Sequence, residues 1–354
     1  FKNDTSASIG NGAEVHAARD VDVNALSRTE IDSVVVSAAG GLGAIAGGVA
    51  VYSVGTGLDK ESKDQLKSDG GDFADVNGYA DNQAADGSIG SLLAGSSDSR
   101  IQSISSDAQA KRSAVSISGQ LNNPAPSGNA AFIDGATVEA GSHVDVSARQ
   151  KIDIDILTGA ASVGALGLGA GIGVVNVSSA SQAFISGTAQ VEAGGNVQVT
   201  AHSDDTGKLN SYVGTGGIVA VNAALAIYND DSSTIAYLGS GVQIDKADQV
   251  EIDATALHNV NTRTFGISVG AAAGGLSKAR TDIGGTVGAS VYEDVGVGQD
   301  SQNAGDSVGS LSVSAQADSH GTAHSQAAAG GIVAGQGSIA TAEVGPTVTA
   351  GIGS

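Results

Sequence analysis

The chain has no cysteine, no methionine and no tryptophan in 354 residues. Without Cys there is no disulfide scaffold and no thiol chemistry. That absence also leans mildly toward an exported protein. Aromatic residues make up only 3% of the chain, so a wide globular core is hard to fill. A thin core of Val, Ile, Leu and Ala is the alternative. Basic residues are scarce as well: 16 Lys and Arg stand against 37 Asp and Glu, a net charge of −21. Binding to nucleic acid or to anionic lipid needs clustered cations, so neither is expected. The charge favours solubility and attraction for cations. The absence of Met and the start at Phe1 suggest a processed product or an excerpt, and no signal peptide is visible.

What is abundant is Gly, Ala, Ser, Val and Asp, with 53 Gly in all. These residues are ordered into a repeat. "AFIDGATVEAGSHVDVSA" (131–148) alternates apolar and polar residues between turn-like Gly pairs, as short half-buried strands do. "AFISGTAQVEAGGNVQVTA" (183–201) and "AYLGSGVQIDKADQVEIDA" (236–254) match it almost position by position. "ASIGNGAEVHAARDVDVNA" (7–25) is an earlier copy, and a worn copy runs from Ala289 and resumes at Ser310. The closing residues Ala148, Ala201 and Ala254 are each 53 apart. Ala254 to Ala315 is 61, and Ala25 to Ala148 is 123, so one large insertion lies between the first two copies. "PTVTAGIGS" (346–354) reads as the start of a sixth copy.

Each copy is followed by an uncharged run of small residues, such as "GAASVGALGLGAGIGVVNVSS" (159–179). The whole unit reads as short strands, a polar turn and two Gly/Ala-rich strands. The expectation is an all-β fold, a right-handed parallel β-solenoid (β-helix) of about 53-residue repeats with one inserted loop or subdomain. At about 25 residues per coil, each repeat makes two coils; a coil plus a hairpin is the alternative. Roughly 11 coils then form a rod about 50 Å long. Val144 and Val146, Val197 and Val199, and Val250 and Ile252 face inward, each contributing roughly 1.5–3 kcal/mol on burial.

The chain divides into a first repeat (1–55), an insertion (56–128) and the remaining repeats (129–354). The insertion carries the best helix candidate, 58–67, and an acidic Gly/Asp-rich stretch. Asp75, Asn77, Asp81 and Asp86 have the spacing of calcium ligands in a loop, although Tyr79 and Ala80 replace residues such a loop prefers. Calcium is the one cofactor suggested, set against a plain solvated acidic loop.

Other motifs have bland explanations. "GLGAIA" (41–46) resembles a dinucleotide-binding turn, but it occupies a slot that is a Gly/Ala-rich strand in every other unit. "GISVG" (266–270) resembles a nucleophile elbow, but Ser268 lies two periods after Ser162 and is therefore a repeat position. His320 and His324 could share a metal only on a helix. His16 and His143 fall beside turns and should be exposed; His202 and His258 are scattered. The apolar runs approach membrane-spanning length but lack basic flanks and aromatic belts, so no membrane insertion is expected.

The recurring A-x-I-x-G-A-x-V-x-A-G-x-x-V-x-V-x-A pattern with its Gly/Ala-rich follow-on resembles large repetitive bacterial exoproteins. These are the filamentous-haemagglutinin-like and leukotoxin-like filamentous adhesins of two-partner secretion or autotransport. The resemblance covers about 280 of the 354 residues, all but the insertion. It implies an extracellular or cell-surface rod for adhesion, aggregation or biofilm matrix. No residue role is carried over, because the shared pattern is structural. The implied partners are copies of the chain itself, associating end to end or laterally, or a surface or matrix polysaccharide or protein. A non-enzymatic role is expected. The alternatives are a self-assembling fibre subunit and a β-helical protein that binds or cleaves polysaccharide.

Overall fold

The computed structural model describes residues 1, 4–55, 127–298 and 307–353. Among the described residues all regular structure is β-strand, and every strand pair is parallel. The first layer contains β1 (Thr5–Ile9), β2 (Glu14–Ala17) and β3 (Val21–Gly55). The second contains β4 (Ser127–Asp134), β5 (Thr137–Ala140) and β6 (Val144–Ser186), whose last residues open the third. The third continues with β7 (Gln190–Ala193) and β8 (Val197–Asp230). The fourth holds β9 (Ser233–Leu238), β10 (Gln243–Lys246) and β11 (Val250–Ile283). The fifth holds β12 (Thr286–Val291), β13 (Gly296–Val297), β14 (Leu311–Gly330) and β15 (Val333–Val344), and β16 (Thr347–Ile352) begins another. Stacked parallel strands of this length form a nearly closed sheet, compatible with a parallel β-solenoid.

The register follows the sequence repeat. Val144 pairs with Val197 and Val197 with Val250, each step being 53 residues. Val250 pairs with Leu311, 61 residues on, and Val21 with Val144, 123 residues on. This corrects the expectation of two 25-residue coils per repeat and agrees with its alternative, one coil plus a hairpin-like pair of limbs. Such a coil would pair Val144 with a residue near 169. Gly169 lies instead on the second half of the same strand, and a Cβ added there would stand 2.9 Å from Val213 and 2.8 Å from Thr215. Five layers at about 4.8 Å each rise only ~24 Å, about half the expected length. The breadth comes from the long strands, since twenty residues reach at most ~70 Å.

Each long strand folds back on itself at one corner. Pairing between layers skips Leu42, Ala165 and Ile218 and resumes on either side. At this corner a Cβ on Gly217 would lie 2.0 Å from the carbonyl oxygen of Gly164, and one on Gly164 would lie 2.1 Å from that of Gly41. The stacked corners therefore require glycine. Beyond the corner the outgoing and returning limbs face each other closely. Ser211 Oγ donates to Gly171 O at 2.8 Å, Tyr52 Oη donates to Ser33 Oγ at 2.5 Å, and Thr262 and Thr281 share a hydrogen bond of 2.8 Å. The Gly/Ala-rich composition follows from this contact. A Cβ on Gly173 would lie 2.5 Å from Leu209, and one on Gly207 would lie 2.4 Å from the Tyr228 ring. Large side chains on one limb need bare backbone on the other.

The main core gathers the columns Val21–Val144–Val197–Val250 and Val23–Val146–Val199–Ile252, fully enclosed in the middle layers. A second core inside the limbs contains Ile152, Ile154, Ile156, Leu209, Tyr228, Val260 and Ile283. Polar residues lock layers together at defined points. Buried Asn129 donates from Nδ2 to Ala25 O at 2.9 Å and to Arg149 O at 2.8 Å. Phe132, Phe184 and Tyr237 stack one per layer, with ring centroids 4.9 and 4.8 Å apart, and Tyr292 meets Tyr237 edge-on at 5.4 Å.

Candidate functional site

Most residues singled out from the sequence are scattered in the fold. Asp75, Asn77, Asp81 and Asp86 lie outside the described residues, as does the helix expected over 58–67. Gly41 to Ala46 belong to strand β3, as their repeat position implied. Ser268 is fully buried, one layer above Thr215 and two above Ser162. His320 and His324 both lie on β14 and are exposed. Four residues along a strand separate them by about 13 Å, too far to share one ion. His16 and His143 are exposed. His16 Nδ1 lies 2.8 Å from Glu139 Oε2, and His143 Nδ1 accepts the Asn196 N–H at 3.0 Å.

The structure brings together a group that sequence reading missed. His258 on β11 pairs directly with Asp205 on β8, and that column runs down through Ile152 on β6 to Thr29 on β3. Both side chains point between the limbs, where the returning limb of β8 places Asp230. His258 Nδ1 is 3.0 Å from Asp230 Oδ2 and 3.5 Å from Asp205 Oδ2. The three residues are almost wholly buried, with exposures of 3%, 1% and 1%. Asp230 is well held: its Oδ1 accepts the Ser232 hydroxyl at 2.7 Å and the Ser232 N–H at 3.2 Å. Neither carboxylate oxygen of Asp205 has a hydrogen-bond partner, nor has the buried Tyr228 hydroxyl, two residues before Asp230.

Burial and mutual charge set the protonation of this group. Burial raises the Asp205 carboxyl well above its ordinary range, Asp230 pushes it further, and His258 opposes the rise. Burial pulls the His258 imidazole down, but the hydrogen bond and charge of Asp230, with the charge of Asp205, outweigh it and leave it at about 9. Tyr228 is raised well above 10 by burial and then by the nearby carboxylates. One signal in the sequence could have exposed the cluster. Aligned on the repeat, the inward column reads Thr29, Ile152, Asp205, His258, Ser319, so two titratable residues of opposite type stand in successive copies.

An exposed apolar strip runs along the limb corner. Leu42, Ile218 and Ile332 project there with exposures of 71%, 65% and 89%, beside Val163 and Val269 at 67% and 55%. Contiguous apolar surface of this kind marks interaction sites in soluble proteins. No helix of the described residues is long and apolar enough to cross a membrane. No family model, curated protein or solved structure matches the chain.

Proposed function

We propose that this chain is a segment of a secreted or cell-surface structural protein, a right-handed β-solenoid of 53-residue coils serving adhesion, aggregation or biofilm matrix. The observation that carries this reading is the stacking itself. Columns of like residues are held in unbroken register from layer to layer, the construction of a stiff spacer rather than of a pocket. The pattern resemblance to filamentous exoproteins supports it, and the exposed apolar corner gives the scaffold a surface for lateral contact.

A fibre subunit is the second reading, and one observation favours it. Among the described residues β3 pairs only with β6, and β14 only with β11, so both end layers present an open parallel edge. The bottom edge reads Val21, Val23, Ala25 and the top edge Leu311, Val313, Ala315. These occupy one column set, so the top of one copy matches the bottom of another. Such a head-to-tail contact does not close and propagates.

Electron microscopy of the purified protein, in calcium and then in chelator, separates the readings. Short discrete particles agree with a segment of a longer scaffold. Continuous fibres with an axial repeat of one chain establish assembly, and fibres lost in chelator add a metal-dependent joint. A flexible or unstructured particle would remove both.

A further inference from the structure

We propose that Asp205, Asp230 and His258 form a binding site for one divalent transition-metal ion of the zinc class, enclosed between two successive layers. The donor set is two carboxylates and one imidazole, all of whose ligand atoms lie within 4.8 Å of one another. A zinc ion about 2.0–2.2 Å from each ligand atom spaces those atoms roughly 3.4 Å apart in tetrahedral geometry. The separations of 3.0 and 3.5 Å from His258 Nδ1 to the two carboxylates fall around that value.

Three further observations point to a ligand. First, Asp205 is enclosed and neither of its oxygens accepts a hydrogen bond, so its buried charge is met only by the more distant His258 at 3.5 Å. Second, the Tyr228 hydroxyl is fully enclosed and unpartnered on the same interior face, its ring against Gly207, and supplies a candidate fourth donor. Third, the neighbouring positions show that the fold does not need a carboxylate at either Asp position. The Asp205 column has Ile152 below, and the Asp230 column has Val177 below and Ile283 above. Apolar side chains fill the position below Asp205 and those on both sides of Asp230, so packing alone does not account for the two carboxylates, while His258 has Ser319 above it. A divalent cation cancels the two carboxylate charges while the imidazole stays neutral. One nitrogen and two carboxylates suit Zn²⁺ better than Ca²⁺, which takes six to eight oxygens.

The ligands come from β8 and β11, so the ion joins the third layer to the fourth and the outgoing limb to the returning one. Because the site is enclosed, loading accompanies folding. The test is to unfold the full chain in chelator, refold it with or without Zn²⁺, desalt it, and measure metal content and melting temperature. The expected result is one Zn²⁺ per chain with a raised Tm, and loss of both in Asp205→Asn and His258→Gln. Surface histidines such as His16 and His143 remain in those variants and control for adventitious binding. Metal-free wild type after refolding in Zn²⁺, or variants that hold as much as wild type, would overturn the site. Should the variants fail to fold, the wild type still decides. Zn²⁺ must shift the Nδ1 resonance of a buried imidazole, and Co²⁺ must give the visible absorption of a four-coordinate ion. An unmoved resonance with a six-coordinate aquo-type Co²⁺ spectrum would refute the proposal.

Discussion

His258 lies directly over Asp205, one layer apart, with Nδ1 3.5 Å from Oδ2, and both side chains are closed off from water. In chelator-treated protein this relationship makes stability fall as pH rises. The folded-state pKa of His258 is raised from 6.5 to about 9, so its stabilisation is complete below pH 6.5 and is lost as pH climbs through 9. The raised Asp205 acts in the same direction from lower pH upward. The His258 contribution is on the order of 3 kcal/mol. Thermal melts between pH 5.5 and 9.5 should show a falling Tm, and His258→Gln should flatten that slope. A Tm that rises with pH would contradict it.

The aromatic column gives a second measurement. Phe184 stacks on Phe132 below and Tyr237 above, nearly parallel to both at 2° and 6°. Phe184→Ala removes two stacked contacts, at roughly 0.5–1.5 kcal/mol each beyond the lost burial. The midpoint of denaturant unfolding should drop clearly, and Phe184→Tyr should restore most of it.

Two adjacent glycines should respond differently to the same change. At Gly217 a Cβ would stand 2.0 Å from a backbone oxygen of the layer below. At Gly216 the nearest atom is a Val163 methyl at 3.8 Å, an ordinary contact. Gly217→Ala should open the corner and lower Tm severely, whereas Gly216→Ala should leave it nearly unchanged. Equal melting curves for the two would show that the corner yields.

Asn129 ties the first two layers through two carbonyl oxygens. Asn129→Ala removes both bonds, a loss of roughly 2 kcal/mol at about 1 kcal/mol per bond. Hydrogen exchange should accelerate in β3 and β4 before it does in β11, because the damage is confined to one end of the stack.

The apolar corner should govern association rather than folding. Leu42→Ser with Ile218→Ser replaces side chains that are mostly in water already. Light scattering should show weaker lateral association at an unchanged Tm. Undiminished association would place the contact elsewhere.

The repeat by itself determined which residues pair. Val144, Val197 and Val250 carry the same flanking pattern, and parallel stacking of like on like buries every second side chain, so the register was legible from their spacing. The spacing of two also marked the inward faces of these strands. It did not mark where a strand bends: the inward set passes from even to odd positions across the corner of β6, from Ile156 and Ser162 to Val175 and Val177, but the small residues between them hide the switch. The tertiary structure decided that each repeat makes one broad layer rather than two narrow ones. It did so because Gly169, Gly171 and Gly173 let the returning limb close on Val213, Ser211 and Leu209, leaving no space for a wider interior. That closure is also what brings Asp230 to Asp205. The two are 25 residues apart on one strand and meet only because its limbs face each other, while His258 arrives from the layer above.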